Sequence, residues 1–215
     1  YRASAMVGSP RLSAGTVFAN DFEVRAVLAR GGMGAVYAVY DRAAGEERAL
    51  KVLLPELVTD EGSRRRFAQE ARVASDLPTP HVPQVHGAGI DPATGTPFIV
   101  MELLRGRDLR QRIDAEGPMR PAAAGPLFEQ LGEALAAAHG VGLIHRDLKA
   151  ENVFLDDSGG APQVKLLDFG VAKTLEAHRS SATGTAAVGS PMWMSPEQTS
   201  AGGRISPATD VWGLG

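Results

Sequence analysis

Strand-like patterns of apolar and polar residues fill most of the first half of the chain. Five segments show them, with apolar positions that alternate or are rich in β-branched and aromatic types: residues 22–28, 35–40, 48–54, 82–89 and 97–102. Because short turns join only antiparallel neighbours, these segments predict an antiparallel sheet. One amphipathic helix is expected over residues 61–76, where Phe67, Ala71 and Ala74 recur at helical spacing.

After residue 104 the apolar spacing becomes helical. Two helices are predicted, over residues 108–115 and 126–139, and Gly142 is suited to end the second in the left-handed conformation. Two short apolar segments then flank a Gly-Gly turn and predict a small hairpin, at residues 153–155 and 164–167. The pattern therefore indicates a β-rich part, a hinge near residues 102–106 and a helical part.

Residues 1–19 are rich in Ser, Ala and Gly without a period, which predicts a flexible linker. The domain prediction is a linker over 1–19, a β-rich lobe over 20–104 and a helical lobe over 105–215. The chain starts without Met or a signal-peptide core and stops on apolar residues. We therefore expect a fragment that is cut within its second lobe.

Composition narrows the classes of partner. A formal net charge of −3 gives no reason to expect nucleic acid, and the absence of Cys excludes disulfides and thiolate metal sites. No apolar run approaches the ~20 residues that a membrane helix needs. The sequence favours a cytoplasmic location and leaves open a membrane anchor elsewhere in a longer protein.

The segment His145-Arg146-Asp147-Leu148-Lys149-Ala150-Glu151-Asn152 carries the strongest chemical signal. It places a carboxylate, an ammonium and a carboxamide on one short loop, and Asp168-Phe169-Gly170 follows after the small hairpin. A carboxylate can orient a hydroxyl nucleophile, an ammonium can neutralise a transferring phosphoryl group, and amide and carboxylate oxygens can hold Mg²⁺. The tripeptide alone could be a simple turn after a buried strand. Its position after the loop favours the chemical interpretation.

The glycine-rich turn at Gly31-Gly32-Met33-Gly34 is a weak signal when taken alone, because many hairpins contain such turns. In dinucleotide-binding and Walker loops the glycines run into a helix, whereas Gly34 leads into a predicted strand. This favours a hairpin folded over a triphosphate. A lysine in a strand is commonly a solvated edge residue, but Lys51 has apolar neighbours and follows this hairpin by one strand.

In this order the motifs resemble those of bacterial, Hanks-type Ser/Thr protein kinases, over about residues 20–215. The resemblance implies an α+β, bilobal protein-kinase-like fold, with an antiparallel β N-lobe that carries one helix and a mainly helical, incomplete C-lobe. It implies transfer of the γ-phosphate of Mg-ATP to Ser and Thr hydroxyls of protein substrates. Two positions depart from the family: Ala29 replaces the usual first glycine, and Ala150 replaces the usual proline.

The resemblance also implies the site residues. Catalytic roles fall on Asp147, Lys149, Asn152, Lys51 and Glu70, and the ligands of Mg²⁺, or of Mn²⁺ as an alternative, are Asn152 and Asp168. The implied ATP-binding positions are Leu28, Ala29, Gly31, Gly32, Met33, Gly34, Val36, Ala49, Lys51, Met101, Glu102, Leu104, Asp108 and Phe154. Each apolar member of this set could equally be ordinary core.

The segment from Asp168 to Glu197 resembles an activation segment. Thr183 and Thr185 are the implied phosphorylation sites, with Arg146 as the partner of the added phosphate. A homodimer that phosphorylates itself in trans is a further expectation. The resemblance also assigns Asp210 to anchoring the backbone of the catalytic loop, and its alternative role is that of a charge at a helix N-terminus.

Two other functions compete with the protein-kinase interpretation. A nucleotide-binding pseudokinase or scaffold is expected to lack some of the reactive groups, and Lys51, Asp147, Asn152 and Asp168 are all present. A small-molecule kinase of related fold is less compatible with Lys149 and with the Gly-Ser-Pro and Ser-Pro-Glu peptides near the end of the activation segment.

Overall fold

The computed structural model describes residues 11–32, 34–58, 60–169, 191–200 and 202–215, and the chain divides into two compact units. The first unit contains the chain up to Arg72 together with Val85–Leu103, and the second contains Val73–Gln84 and the chain from Leu104 onward. The boundary between the units, predicted after residue 104, lies after Leu103. Residues 73–84 also belong to the second unit, which the sequence pattern did not show.

The first unit is built on a six-stranded antiparallel sheet with strand order β1-β2-β3-β4-β6-β5. Its strands are β1 (Val17–Phe18), β2 (Phe22–Gly31), β3 (Gly34–Asp41), β4 (Glu46–Leu53), β5 (Val85–Ile90) and β6 (Pro97–Met101), and helix α1 (Glu61–Ser75) follows β4. The predicted antiparallel sheet is confirmed. Short turns join β2 to β3 and β3 to β4, which is why these neighbours run in opposite directions.

The two faces of this sheet differ because successive side chains of a strand point to opposite sides. Tyr37 on β3 and Leu50 on β4 are paired, fully buried and part of one apolar core with Val24, Val39, Val52 and Val100. The other face carries the pair Val36 and Lys51. The strand periodicity therefore separates a core face from a face that is available for chemistry.

The segment that was predicted as a flexible linker is folded from residue 11 to residue 19. Val17 pairs with Glu23, the Gly15 amide donates to the Val24 carbonyl at 2.8 Å, and Phe18 is buried against the ring of Phe98. The linker prediction is wrong for these residues, because the burial of one aromatic ring and pairing with β2 offset the weak local propensity. Residues 1–10 lie outside the described part of the chain.

The second unit combines helices with a small sheet. Its helices are α2 (Leu109–Glu116), α3 (Pro121–Gly140), α4 (Pro196–Thr199) and α5 (Pro207–Trp212), and its strands, in the order β7-β8-β9, are β7 (Gly106–Asp108), β8 (Val153–Asp156) and β9 (Gln163–Leu166). The predicted hairpin and the Leu127, Leu131, Leu135 and Ala138 stripe of α3 are confirmed. This stripe contacts β9 and shares one buried core with residues of β8. The predicted α+β fold, with a β-rich unit and a mainly helical unit, is confirmed.

The sequence predicted that helix α3 begins at Pro126. In the structure it begins at Pro121. Pro121 occupies the first turn, where a missing N–H costs no intrahelical bond, and Pro126 lies in the second turn. The helix ends where expected, and Gly142 follows it with φ of 77°. Among the described residues, no helix is long and apolar enough to span a membrane.

Residues 73–84 join the second unit through His81. The Leu166 amide donates to the His81 carbonyl at 2.8 Å, and His81 Nδ1 lies 3.1 Å from the Val164 carbonyl oxygen. His81 Nε2 faces the Glu133 carboxylate of α3 at 3.2 Å. Because its bonds go to β9 and α3, this segment packs as part of the second unit although it lies between α1 and β5 in sequence.

Candidate active site

The backbone of the loop over residues 145–152 is held by a buried carboxylate. Asp210 on α5 accepts hydrogen bonds from the His145 amide at Oδ2 and from the Arg146 amide at Oδ1, each at 2.8 Å. Its Oδ2 also lies 2.7 Å from Nε2 of His139 on α3. Asp210 is 1% exposed, so these donors replace the water that a charged group would otherwise need. Asp210 therefore holds the backbone of the loop at His145 and Arg146.

The Asp147 side chain is oriented by two neighbours on the same loop. Its Oδ2 lies 3.3 Å from Nζ of Lys149 and 3.2 Å from Nδ2 of Asn152. Asn152 Nδ2 also donates to the Asp147 carbonyl at 2.7 Å. A carbonyl oxygen only accepts, so this bond fixes which end of the amide faces Asp147. The short 3₁₀ turn Ala150–Asn152 brings the amide back over the loop.

The loop is joined to the end of β9 through Leu167, the residue directly before Asp168. His145 Nε2 lies 2.7 Å from the Leu167 carbonyl oxygen, and the Leu167 amide donates to the Asn152 carbonyl at 2.8 Å. The His145 ring also packs edge-to-face on Phe169 with centroids 5.0 Å apart. Asp147 and Leu167, the neighbour of Asp168, thus belong to one hydrogen-bond network.

His145 is held as a neutral imidazole. Burial lowers its pKa from the ordinary value of 6.5, and this outweighs the opposing influence of the Leu167 carbonyl and of the Asp210, Asp147 and Asp168 carboxylates. Its contacts select one tautomer: Nε2 donates to the Leu167 carbonyl, while Nδ1 accepts from the Asp147 amide at 3.2 Å. A second ring proton would point at that amide N–H. The loop geometry therefore depends on the uncharged form.

In the first unit, Lys51 lies in the middle of β4 and is half-buried. It pairs with Val36 of β3 and Ile99 of β6, and Ala49 pairs with Met101. Paired residues share a face, so the sheet gathers five of the predicted ATP-binding positions on the face opposite its core: Ala29, Val36, Ala49, Lys51 and Met101. Strand register alone accounts for this grouping.

The glycines of the β2–β3 hairpin differ in whether protein packing requires glycine at their positions. Gly34 has φ of 149°, and a Cβ there would lie 2.0 Å from the Val52 carbonyl oxygen, so packing against β4 requires glycine. A Cβ on Gly31 or Gly32 would meet nothing within 4 Å among the described residues. Protein packing explains Gly34, whereas it does not explain the other two.

The other predicted site residues are more scattered. Some have a structural role, and some lie outside the described residues. Asp108 caps α2, because its Oδ1 accepts from the Gln111 amide at 2.8 Å. Phe154 lies on β8 and Leu104 begins the longer segment of the second unit, both partly exposed, and Leu28 on β2 is exposed. Glu102, directly after β6, is partly exposed. Outside the described residues lie Met33, Gly170, Thr183 and Thr185 and the side chain of Glu70.

Sequence reasoning missed two residues that support the loop, Gln198 by direct contact and His139 through Asp210. His139 reaches Asp210 across 71 positions, and Gln198 on α4 donates from Nε2 to the Arg146 carbonyl at 2.8 Å, across 52 positions. Neither residue stands in a motif with a chemical role of its own. Only the Gln198 position, three residues after Ser195 in a capping-box pattern, gave a local signal, and that signal predicts a helix start.

The donor set suits a hard cation, although the residues that the structure describes do not by themselves supply a complete site. No group of three or more His, Asp or Glu side chains with metal-binding spacing occurs among the described residues. The Asn152 amide nitrogen is occupied by Asp147, which leaves Oδ1 as the coordinating atom, and Asp168 is exposed next to the anchored Leu167. One amide oxygen and one carboxylate fit Mg²⁺, which usually completes its shell with water and phosphate oxygens.

Comparisons with known proteins identify the family. A family model described as the protein kinase domain matches residues 22–215. The serine/threonine-protein kinase PknA of Mycobacterium tuberculosis is 36% identical over 210 residues, which cover 96% of this chain. The chain spans 47%, or about half, of the length of that relative.

Two solved structures resemble the fold. The crystal structure of the Mycobacterium tuberculosis PknI kinase domain superposes with a TM-score of 0.71 and 31% identity, covering 95% of this chain and 74% of that one. The structure of Rad53 residues 1–466 in complex with AMP-PNP gives a TM-score of 0.60 with 26% identity, covering 71% of this chain and 39% of that one.

Proposed function

Because the chain belongs to the protein kinase family, we propose that it transfers the γ-phosphate of ATP to Ser and Thr hydroxyls of proteins. The observation that carries the proposal is the arrangement at Asp147, whose Oδ2 is held by Lys149 and Asn152. The relative PknA, which bears the name of a serine/threonine-protein kinase, supports the reaction class. A protein substrate, rather than a small molecule, follows from this kinship.

Asp147 acts on the incoming alcohol. Its carboxylate accepts the hydrogen bond of a Ser or Thr hydroxyl and aims the oxygen at the γ-phosphorus. As the new P–O bond forms and the bond to the β-phosphate oxygen breaks, the hydroxyl proton passes to the carboxylate and ADP leaves. A carboxylate is too weak a base to take this proton in the ground state. The transfer is therefore late, and orientation is the larger part of its role.

Lys149 and Asn152 have two tasks in this scheme. Each holds Asp147 Oδ2 in place before substrate arrives, which lowers the reorganisation that the reaction needs. Lys149 also provides a positive charge for the transferring phosphoryl group. Asn152 Oδ1 and the Asp168 carboxylate would hold Mg²⁺, which neutralises phosphate charge when bound.

The first unit supplies nucleotide contacts in this proposal. Lys51 binds phosphate oxygens and Glu70 supports it, both by resemblance to the family. Gly31 and Gly32 have no packing reason to be glycine among the described residues, which supports close approach of phosphate oxygens to their backbone amides. The adenine and ribose contacts proposed in the same way are Leu28, Ala29, Val36, Ala49, Met101 and Glu102 of the first unit and Leu104, Asp108 and Phe154 of the second.

Regulation is proposed on the same basis. Phosphorylation of Thr183 or Thr185 would add a dianion, and by resemblance to the family Arg146 is its expected partner. Trans-phosphorylation within a homodimer and a cytoplasmic location remain predictions from the sequence. Thr183 and Thr185 lie outside the described part of the chain, so the support for their phosphorylation comes from the sequence alone.

Phosphoryl transfer from γ-labelled ATP to a generic basic protein tests the reaction. We expect Asp147→Asn to abolish transfer while fluorescent-nucleotide binding persists, and Asp157→Asn, a matched change at an exposed carboxylate on the β8–β9 turn, to leave transfer unchanged. Nucleotide binding by the unaltered chain without any transfer would favour the pseudokinase alternative. Transfer to a small molecule and never to protein would favour a small-molecule kinase.

A further inference from the structure

The side chain of Gln198 bridges α4 and the loop that carries Asp147. Its Oε1 accepts from the amide of Ser195 at 3.0 Å and from the Ser195 hydroxyl at 3.2 Å. Its Nε2 donates to the Arg146 carbonyl at 2.8 Å. Ser195 is fully buried, and Gln198 is half-buried beside it. One carboxamide therefore uses both of its ends, toward two different segments.

The orientation of this amide follows from its partners. The Ser195 amide can only donate, and the Arg146 carbonyl can only accept. Exchanging Oε1 and Nε2 would lose both bonds and oppose like groups at each end. The side chain is thus fixed by its contacts, and a residue with only one of these two capacities can satisfy only one of the two segments.

The bond to Arg146 falls at a strained point of the backbone. Arg146 has φ of 65°, in the left-handed region that non-glycine residues adopt at a cost. Its amide is held by Asp210 Oδ1 and its carbonyl by Gln198 Nε2, each at 2.8 Å, so the residue is clamped on both sides. The next residue is Asp147. A rotation at Arg146 would move the Asp147 carboxylate directly.

We propose that Gln198 is a positioning residue for phosphoryl transfer, which acts by holding the Arg146 carbonyl and so the backbone that presents Asp147. The inference rests on the proposed function for its catalytic readout. A role limited to capping α4 does not account for the geometry, because the cap uses only the acceptor Oε1, and a carboxylate would serve there equally well. The donor Nε2 is used only toward the loop.

Two substitutions separate these roles. Gln198→Glu keeps an acceptor for Ser195 and removes the donor to the Arg146 carbonyl. Gln198→Lys keeps a donor that can reach this carbonyl and removes the acceptor of the cap. A positioning role predicts that the Glu variant loses more activity than the Lys variant, and a capping role predicts the reverse order. Gln130→Glu is the matched control, since Gln130 uses Oε1 to accept from the Val164 amide at 2.8 Å.

Measurements on the whole chain use two readouts. Steady-state phosphoryl transfer should show kcat reduced at least about tenfold in Gln198→Glu, with KM for ATP within about twofold, as expected when a hydrogen bond needed only for the reacting geometry is lost. Amide hydrogen exchange of the peptide over residues 145–149 should be faster in Gln198→Glu and unchanged in Gln198→Lys and Gln130→Glu. The exchange readout does not require activity.

The outcomes are distinguishable. If the unaltered chain transfers no phosphoryl group, the proposed function fails, and the exchange rates still decide the clamp. If the Glu variant matches the unaltered chain in both exchange and kcat, the proposal is overturned. If the Glu variant does not fold, the Lys variant decides: retained kcat and slow exchange support the clamp, and lost kcat with fast exchange overturns it.

Discussion

Asn152 binds Asp147 twice, donating its side-chain amide to the carbonyl oxygen at 2.7 Å and to the carboxylate oxygen Oδ2 at 3.2 Å. The two residues stand five positions apart, and the 3₁₀ turn over Ala150–Asn152 closes the distance. The same amide thus fixes the backbone and the side chain of the proposed base. Its second atom, Oδ1, is the proposed metal ligand, so in that proposal one side chain would couple orientation of the nucleophile to binding of the cation.

Asn152→Asp should lower kcat about 10- to 100-fold, although a carboxylate is a good Mg²⁺ ligand, because it cannot donate to Asp147 and repels its charge. Steady-state kinetics at several Mg²⁺ concentrations measure the effect. Asn20→Asp makes the same change in a turn of the first unit, where φ is 69° and Asp is tolerated, and should have no effect. Full recovery of kcat at high Mg²⁺ would show that Asn152 acts only through the metal.

Asp210→Asn should reduce the free energy of unfolding by about 2–4 kcal/mol, because a buried carboxylate that receives bonds from two amides and a histidine is replaced by a group with fewer acceptors. Denaturant titration with a probe in the second unit measures this. Asp114→Asn removes an exposed carboxylate that pairs with Arg110 at 2.8 Å, and should cost less than about 1 kcal/mol. Equal effects of the two changes would contradict the anchoring role.

The glycine hairpin allows a paired test. Gly34→Ala should destabilise the chain by more than about 2 kcal/mol, because its Cβ would collide with the Val52 carbonyl of β4 at a left-handed φ. Gly31→Ala meets open space, so we expect an unchanged melting temperature with weaker ATP binding. Calorimetry and nucleotide titration read the two effects separately. Unaltered ATP affinity in Gly31→Ala would argue against phosphate contact at this turn.

Acid should destabilise the second unit through His145. Its pKa is lowered in the folded chain, so between that value and 6.5 the unfolded chain binds more protons than the folded one. The stability that the neutral ring contributes is fully present above about pH 6.5 and decreases below it, by at most about 1.4 kcal/mol per pH unit.

Denaturant titrations from pH 7.5 down to pH 5 measure this slope. His145→Gln can still donate to the Leu167 carbonyl and does not titrate, so it should remove the His145 part of the slope. His86, whose pKa is also lowered, first by burial and then by Arg48, contributes equally in both proteins and cancels in the difference. The same slope in both proteins would mean that folding does not lower the pKa of His145.

The strands and helices followed well from the sequence, because alternation and helical spacing reflect which side of each element is buried. The register of β3, β4 and β6 then placed Val36, Ala49, Lys51 and Met101 on one face. Residues 11–19 were mispredicted, since a short strand of weak propensity is stabilised by Phe18 and its aromatic neighbours. The start of α3 was mispredicted because Pro126 suggested a boundary that the helix passes through.

What the sequence determined by itself is the chemical identity of the loop at 145–152, because its reactive groups are close neighbours along the chain, and the order of this loop after the glycine hairpin and Lys51. Only the tertiary structure decided how Asp147 is held. Asp210, Leu167 and Gln198 reach the loop from 64, 22 and 52 positions away. Hydrogen bonds between residues so far apart in sequence produce no periodic pattern, because they depend on where packing places two segments. Their donors and acceptors are also mostly backbone groups, which every residue carries.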